Sequence, residues 1–301
     1  MDYNNQLLNI ASQNIIYDVP LSKWKLLKGL DPNNCIWDIG CSIVKISYMD
    51  DFYAEMHIEA LSNIHSALAP IGVAPKLDWI AHKSPYIISV YEKIEFKEEP
   101  SAFESGEALA KAHIALEYIP IRKSFPWDGF YGEPDEFRFL IPLIKDVNIH
   151  SKSKLLLDTI TCRPHTNPVH YIHRDLNPGN IIKSDSGVYI IDWDMTHGGH
   201  REDDVAMSLC CLANITNSNF EALSFCREFL NGYRKQINAD WAIIDSPVMI
   251  SSIALAGLRQ AVSGWFSDKG NMSAHYWPNI LNRLDFAVNV CVPSFSSMPL
   301  S

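Results

Sequence analysis

The sequence predicts an α+β chain in two parts: a small antiparallel-sheet lobe over residues 1–94 and a larger helical lobe over 95–301. Three observations carry this reading. Short β-branched runs crowd the first third around one amphipathic helix. The composition then turns polar through Glu92, Lys93, Glu95, Lys97, Glu98, Glu99 and Pro100, which marks a boundary. Beyond Ile144 the pattern is mainly helical, broken only by the strand-like runs Val169–Ile172, Ile181–Ile182 and Val188–Ile191. With 301 residues, 47% of them apolar, the chain has ample material for a core.

In chain order, the segment Cys35–Met49 reads as two β-branched runs about Gly40, a tight hairpin with Lys45 in its second strand. From Asp51 to Leu68 the apolar positions Phe52, Met56, Ala60, Ile64 and Leu68 recur every four residues, the interval of an amphipathic helix carrying Glu55 and Glu59. Tyr86–Tyr91 is a compact strand. A further helix is expected to start near Ser101–Glu104 and end before Pro120. The aromatic, Gly- and Pro-rich stretch Pro126–Pro142 reads as an irregular insertion. There is no internal repeat and no low-complexity tract.

No apolar run approaches the roughly 20 residues of a membrane span, and Met1–Gln6 lacks the basic-then-apolar order of a secretory signal. A cytoplasmic location without membrane partners is the expectation. The seven cysteines contain no Cys-x-x-Cys pair, so reduced, mostly buried thiols are expected rather than a disulfide framework or a thiolate zinc site. A formal charge of −10 disfavours nucleic-acid binding and is compatible with a cationic small substrate.

The chemistry concentrates in His173-Arg-Asp-Leu-Asn-Pro-Gly-Asn180, followed by Ile190-Ile-Asp-Trp-Asp194. Phosphoryl transfer from ATP needs an in-line hydroxyl, divalent cations on the phosphate oxygens and fixed positive charge. Magnesium takes hard oxygen ligands and keeps several waters, so one or two protein groups suffice. Asn180 and Asp192 provide that pair. Asp175, five residues before Asn180 in one loop, is the candidate to orient the acceptor hydroxyl and take its proton. His173 reads as a loop brace. The competing structural reading, that these Asx residues merely cap turns, is weakened by their joint spacing between apolar strands.

There is no Gly-x-x-x-x-Gly-Lys-Ser/Thr loop and no Gly-x-Gly-x-x-Gly after a strand. The phosphates must then be met by a lone lysine. Lys45, between Val44 and Ile46, is the candidate, with Glu59 as its salt-bridge partner and Glu55 as second choice.

These residues resemble the aminoglycoside phosphotransferase and choline kinase superfamily. Its His-x-Asp-x-x-x-x-Asn is matched by His173, Asp175 and Asn180, and its Ile-Asp-Trp-acid by Ile191–Asp194. Gly199–Ala206 is similar to its Gly-Asp-Pro-x-x-Asp-Leu-Ala, Gly106–His113 to its Gly-x-x-Leu-Ala-x-Leu-His helix, and Phe229–Tyr233 to a helix segment common there. The resemblance implies a bilobal protein-kinase-like fold, ATP and magnesium as cofactors, Lys45 and Glu59 as the ATP lysine and its partner, and adenine bonded to connector backbone near Tyr91–Ile94, with Glu92 and Ile94 as candidates. Arg174 stands where the family frequently has Gly, His200–Arg201 replace Asp-Pro, and the phosphate loop near Asn33–Asn34 is glycine-poor.

The expected activity is transfer of phosphate to a hydroxyl of a small cationic molecule such as an aminoglycoside, choline, ethanolamine or thiamine. Asp204 is expected to cap a helix. Trp265, Phe266, Tyr276 and Trp277 are candidates for an ammonium-binding box, although ordinary core is the favoured reading. Two other functions compete: a nucleotide-binding pseudokinase or regulatory module, suggested by the glycine-poor loop, and a metallohydrolase, suggested by His170-x-x-His173 and His197-x-x-His200. The second is disfavoured because His-x-x-His outside a helix lacks one-face geometry.

Overall fold

A computed structural model describes residues 20–31, 34–121, 134–161, 170–212, 219–239, 243–272 and 275–292. The chain divides into two compact units, one of residues 1–98 and 182–194, the other of 99–181 and 195–301.

The first unit is built on an antiparallel five-stranded sheet of order β1-β2-β3-β5-β4. Its strands are β1 (Lys25–Asp31), β2 (Asn34–Asp38), β3 (Ser42–Tyr48), β4 (Leu77–Lys83) and β5 (Tyr86–Glu92). The hairpin expected around Gly40 is present: Gly40 sits at φ +102°, and its N–H donates to Asp38 Oδ1 at 2.8 Å. A side chain would be strained at that φ, which is why glycine occupies the turn. Side chains alternate across a strand, so Val44 and Ile46 point into a core with Cys35, Trp37, Ile39, Ile88 and Val90, and Lys45 takes the other face.

Helix α1 (Asp51–Leu68) follows, its first turn capped by Asp50, which accepts from the Phe52 N–H at 2.9 Å. Its buried face is Ala54, His57, Ala60, Leu61, Ile64, His65 and Leu68. Phe52, expected on that face, is exposed, because the helix turns Ala54 inward instead.

The first unit is completed from far along the chain. The hairpin of β7 (Ile181–Ser184) and β8 (Gly187–Ile190) is tied to it by Ile190 N–H to Val73 O at 2.7 Å and Lys97 N–H to Lys183 O at 2.9 Å. A linear boundary after residue 94 leaves this return out, since backbone pairing between distant segments has no local signature.

The second unit contains the helices α2 (Ala102–Leu116), α3 (Pro134–Leu140), α4 (Val147–Thr159), α5 (Arg201–Leu212), α6 (Asn219–Gln236), α7 (Pro247–Ser267) and α8 (Trp277–Cys291). Helix α2 opens with a capping box in which Ser101 and Glu104 satisfy each other's backbone N–H groups. The stretch expected to be irregular contains α3, which starts on a proline with Asp135 and Glu136 in its first turn; residues 122–133 lie outside the description. Helices α2 and α6 pack at backbone distance: a Cβ on Gly106 would stand 2.0 Å from Phe229 O, and one on Gly232 the same 2.0 Å from Phe103 O. Helix α7, buried on nearly every side, packs against α4, α5 and α8. A short antiparallel pair, β6 (His170–Ile172) and β9 (His197–Gly199), carries the motif loop. Among the described residues no helix is long and apolar enough to cross a membrane.

Candidate active site

Lys45 and Asp192 fall into one cluster in the first unit, and Asp175 and Asn180 into one in the second. In the first, Lys45 Nζ lies 2.5 Å from Asp192 Oδ1 and 2.8 Å from Asp194 Oδ2. Asp194 Oδ2 also accepts from Ser47 Oγ at 2.8 Å. Ser47 and Lys45 share a face of β3 because they are two residues apart. Asp192 follows the end of β8 with φ +63°, a left-handed conformation unusual for a side-chain-bearing residue. Burial opposes the charge on Lys45, but the Asp194 and Asp192 carboxylates outweigh it and hold the ammonium pKa above its ordinary value. For Asp194 burial likewise works against the charge, and Lys45, His57 and Ser47 outweigh it, so the carboxyl stays well below the usual range.

The lysine's partners here are the two aspartates, whereas the sequence reading paired it with Glu59. Glu59 is half-buried on α1. Glu92 ends β5 with its N–H on Lys76 O at 2.9 Å, and Lys93 N–H donates to Cys41 O at 3.2 Å, so the connector that includes half-buried Ile94 is fastened to the hairpin turn. Lys93 Nζ reinforces this at 3.1 Å from Asp38.

In the second unit Asp175 and Asn180 are directly bonded. Asn180 Nδ2 donates to Asp175 O at 2.8 Å and to Asp175 Oδ2 at 3.2 Å. Its amide nitrogen is thus occupied, and its oxygen is the group left to face a cation. The loop between them is set by Leu176, fully buried, and by Asn177, which accepts from Gly179 N–H at 2.9 Å. His173 Nδ1 accepts from Asp175 N–H at 3.2 Å, the bracing role read from the sequence.

Asp204 does something other than cap its helix. Its carboxylate accepts the backbone N–H groups of His173 at 2.8 Å and Arg174 at 2.6 Å, reaching from α5 to the motif loop. The helix-cap expectation fails because the loop N–H groups, 30 residues earlier in sequence, take the oxygens. His113 Nε2 donates to Asp204 at 3.0 Å, and Tyr233 O–H meets His113 Nδ1 at 2.7 Å. Burial pushes the Asp204 carboxyl up, but the bond from His113 and the charges and N–H groups around it win and draw its pKa down to about 2. Arg174 is at φ +68°, a left-handed conformation that glycine adopts without strain. Burial, and next the Arg259 guanidinium, lower its pKa to about 9.

Asp194, Ser47 and Tyr233 were not singled out for roles from the sequence. The second acid of Ile191–Asp194 and the end of the Phe229–Tyr233 segment were the signals available for Asp194 and Tyr233, and Ser47 had none. Two of the four aromatic candidates are core, Trp277 buried with Nε1 on Asp268 at 2.8 Å and Trp265 buried beside Gly270, whereas Phe266 is exposed and Tyr276 half-buried. Trp127 and Phe130, weaker candidates for the same role in the aromatic-rich stretch, lie outside the described residues. Among the described residues no three His, Cys, Asp or Glu side chains converge as a metal cage.

The model of the phosphotransferase enzyme family matches residues 91–249, more than half of the chain. The chain belongs to this family. It is therefore an ATP-dependent small-molecule kinase, and kinases of its family use ATP with a divalent cation. Solved structures similar to this phosphotransferase include amicoumacin kinase hAmiN in complex with AMP-PNP, Ca2+ and Ami, at 15% identity over 98% of this chain and 94% of that one, TM-score 0.68. A choline/ethanolamine kinase family protein from Mesorhizobium loti matches at 13% identity, covering 98% and 97%, TM-score 0.64. The GDP complex of a variant of aminoglycoside 2'-phosphotransferase-IIIa matches at 15% identity, covering 95% and 97%, TM-score 0.64. At these identities the likeness is one of fold. No curated protein matches the sequence.

Proposed function

We propose that the chain transfers the γ-phosphate of ATP, with magnesium, to a hydroxyl of a small cationic molecule of the aminoglycoside, choline, ethanolamine or thiamine kind. The observation that carries the mechanism is the pair of bonds from Asn180 Nδ2 to Asp175, which locks the proposed base to the proposed metal ligand. The cationic acceptor is supported by the net charge of −10 and by fold likeness to proteins named as choline/ethanolamine and aminoglycoside kinases.

In this reading the donors fit magnesium by their chemistry: the Asn180 amide oxygen and the Asp192 carboxylate, one third exposed, are hard oxygen ligands. An ion held by these groups would supply neutralisation of phosphate charge. Lys45 contributes fixed positive charge to the phosphates, Glu59 supports it, and backbone at Glu92 and Ile94 receives adenine. Asp175 accepts the proton of the acceptor hydroxyl as its oxygen bonds to the γ-phosphorus. The bond to the β-phosphate oxygen breaks and ADP leaves. Division of labour between residues 1–94 and 95–301, nucleotide in the first and acceptor in the second, completes the proposal.

A coupled ADP-release screen over aminoglycosides, choline, ethanolamine and thiamine tests the acceptor class. With the acceptor found, Asp175→Asn is expected to lower kcat by ~10²–10⁴-fold, the usual worth of general-base catalysis. A folded Asp175→Asn protein that turns over at the original rate would refute the mechanism.

A further inference from the structure

Two carboxylates share Lys45, and they are not equivalent. Asp194 Oδ2 is held twice, by Lys45 Nζ and by Ser47 Oγ, both at 2.8 Å, and its side chain is 19% exposed. Asp192 touches the ammonium through one oxygen and its side chain is 32% exposed. Its backbone is kept in the left-handed region, an unfavourable conformation that a merely structural ion pair does not require.

We propose that Asp194 is the resident counter-ion of Lys45 and Asp192 an exchangeable one, so that Asp194 is the positioning residue that lets Asp192 leave the lysine for a divalent cation. The inference rests on the reading of Asp192 as a metal ligand. Its physical basis is that Lys45 is only 8% exposed, and a buried ammonium abandoned by its sole carboxylate costs several kcal/mol. With Asp194 in place the ammonium keeps a carboxylate at ion-pair distance when Asp192 turns away. Ser47 fixes that partner, since a carboxylate bonded to β3 moves with the strand that carries the lysine. Lys45, Ser47 and Asp194 then form one rigid set.

The test has two arms. The first needs neither nucleotide nor metal: double-mutant cycles by urea unfolding on the whole chain, pairing Lys45→Met with Asp194→Asn and with Asp192→Asn. The coupling of Lys45 to Asp194 is expected to exceed that to Asp192, and equal or reversed coupling overturns the proposal. The second arm measures, by calorimetry, the magnesium dependence of AMP-PNP binding. Asp194→Asn leaves Asp192 as the remaining carboxylate and is expected to raise the magnesium midpoint ~10-fold or more, within the range for residues that orient a metal ligand. Asp194→Glu is expected to recover part of it, and Ser47→Ala to shift it less than Asp194→Asn. An unchanged midpoint in folded Asp194→Asn also overturns the proposal. Failure of the unaltered protein to bind magnesium–AMP-PNP would refute the functional reading instead, and the unfolding cycles would still decide between the two aspartates.

Discussion

Asp204 accepts the backbone N–H of Arg174 at 2.6 Å, and by that bond a residue on α5 holds the motif loop in a conformation its own sequence disfavours. Arg174 stands at φ +68°, where an L-residue costs about 1–2 kcal/mol. The bond to a buried carboxylate offsets that cost.

Glycine at this position is expected to be better tolerated than alanine. Arg174→Ala keeps the strain and loses the side chain, whereas Arg174→Gly relieves it. Urea unfolding of the two variants should differ by ~1 kcal/mol in favour of glycine. Equal stabilities would show that backbone strain at this residue carries no measurable cost.

Removal of Asp204 is expected to be severe. Asp204→Ala leaves two loop N–H groups and His113 without their acceptor, and each buried donor so orphaned typically costs ~1–3 kcal/mol. Because the folded pKa is depressed to about 2, this contribution is present above the ordinary carboxylate pKa and is lost as pH falls toward about 2. Denaturant midpoints of the parent and Asp204→Ala should therefore converge in strong acid. A constant gap between them would contradict the linkage.

Acid sensitivity at milder pH is expected from two histidines. Burial is the main cause holding the His65 and His170 pKa values down to about 4. Each ring faces a carbonyl with Nδ1, His65 on Pro75 at 2.7 Å and His170 on Tyr171 at 2.8 Å, and a carbonyl only accepts, so Nδ1 carries the proton of a neutral ring. The unfolded chain binds protons below the ordinary histidine value of about 6.5 while the folded one does not, so stability falls from about pH 6.5 toward 4. His65→Gln should flatten the dependence of Tm on pH across that window, and an unaltered slope would rule out His65 as a source.

Gly106→Ala is expected to destabilise by at least ~1–3 kcal/mol, the usual effect of overpacking, since its Cβ would stand 2.0 Å from the Phe229 carbonyl oxygen. Backbone cannot rotate away as a side chain can. Calorimetric melting measures the loss, and a Tm unchanged within a degree would mean that α2 and α6 separate freely.

Much of this architecture was legible in the sequence because it is written locally. The α1 boundaries follow from four-residue periodicity and Asp50, the hairpin from Gly40, and α2 from the Ser101–Glu104 pair. What stayed hidden depends on contacts across long stretches of chain. Lys45 lies 147 residues from Asp192, and Asp204 lies 30 from Arg174, distances over which no periodicity speaks. Glu59 is the partner for Lys45 that local sequence suggests, and the two aspartates, reaching it from residues 192 and 194, have no local signature. Helix α3 was missed because proline and aromatic richness resembles a loop, although proline at a helix start costs nothing.

The return of residues 182–194 to the first unit bears on how the chain is made. An emerging chain that has reached residue 98 has the whole five-stranded sheet but lacks both carboxylates that neutralise Lys45, so it carries an uncompensated ammonium in a low-dielectric interior. That unit matures only after residues 99–194 have been synthesised, and a ribosome arrested before Asp192 should leave it susceptible to protease. The ion pairs on Lys45 thus also time the closure of this unit around it.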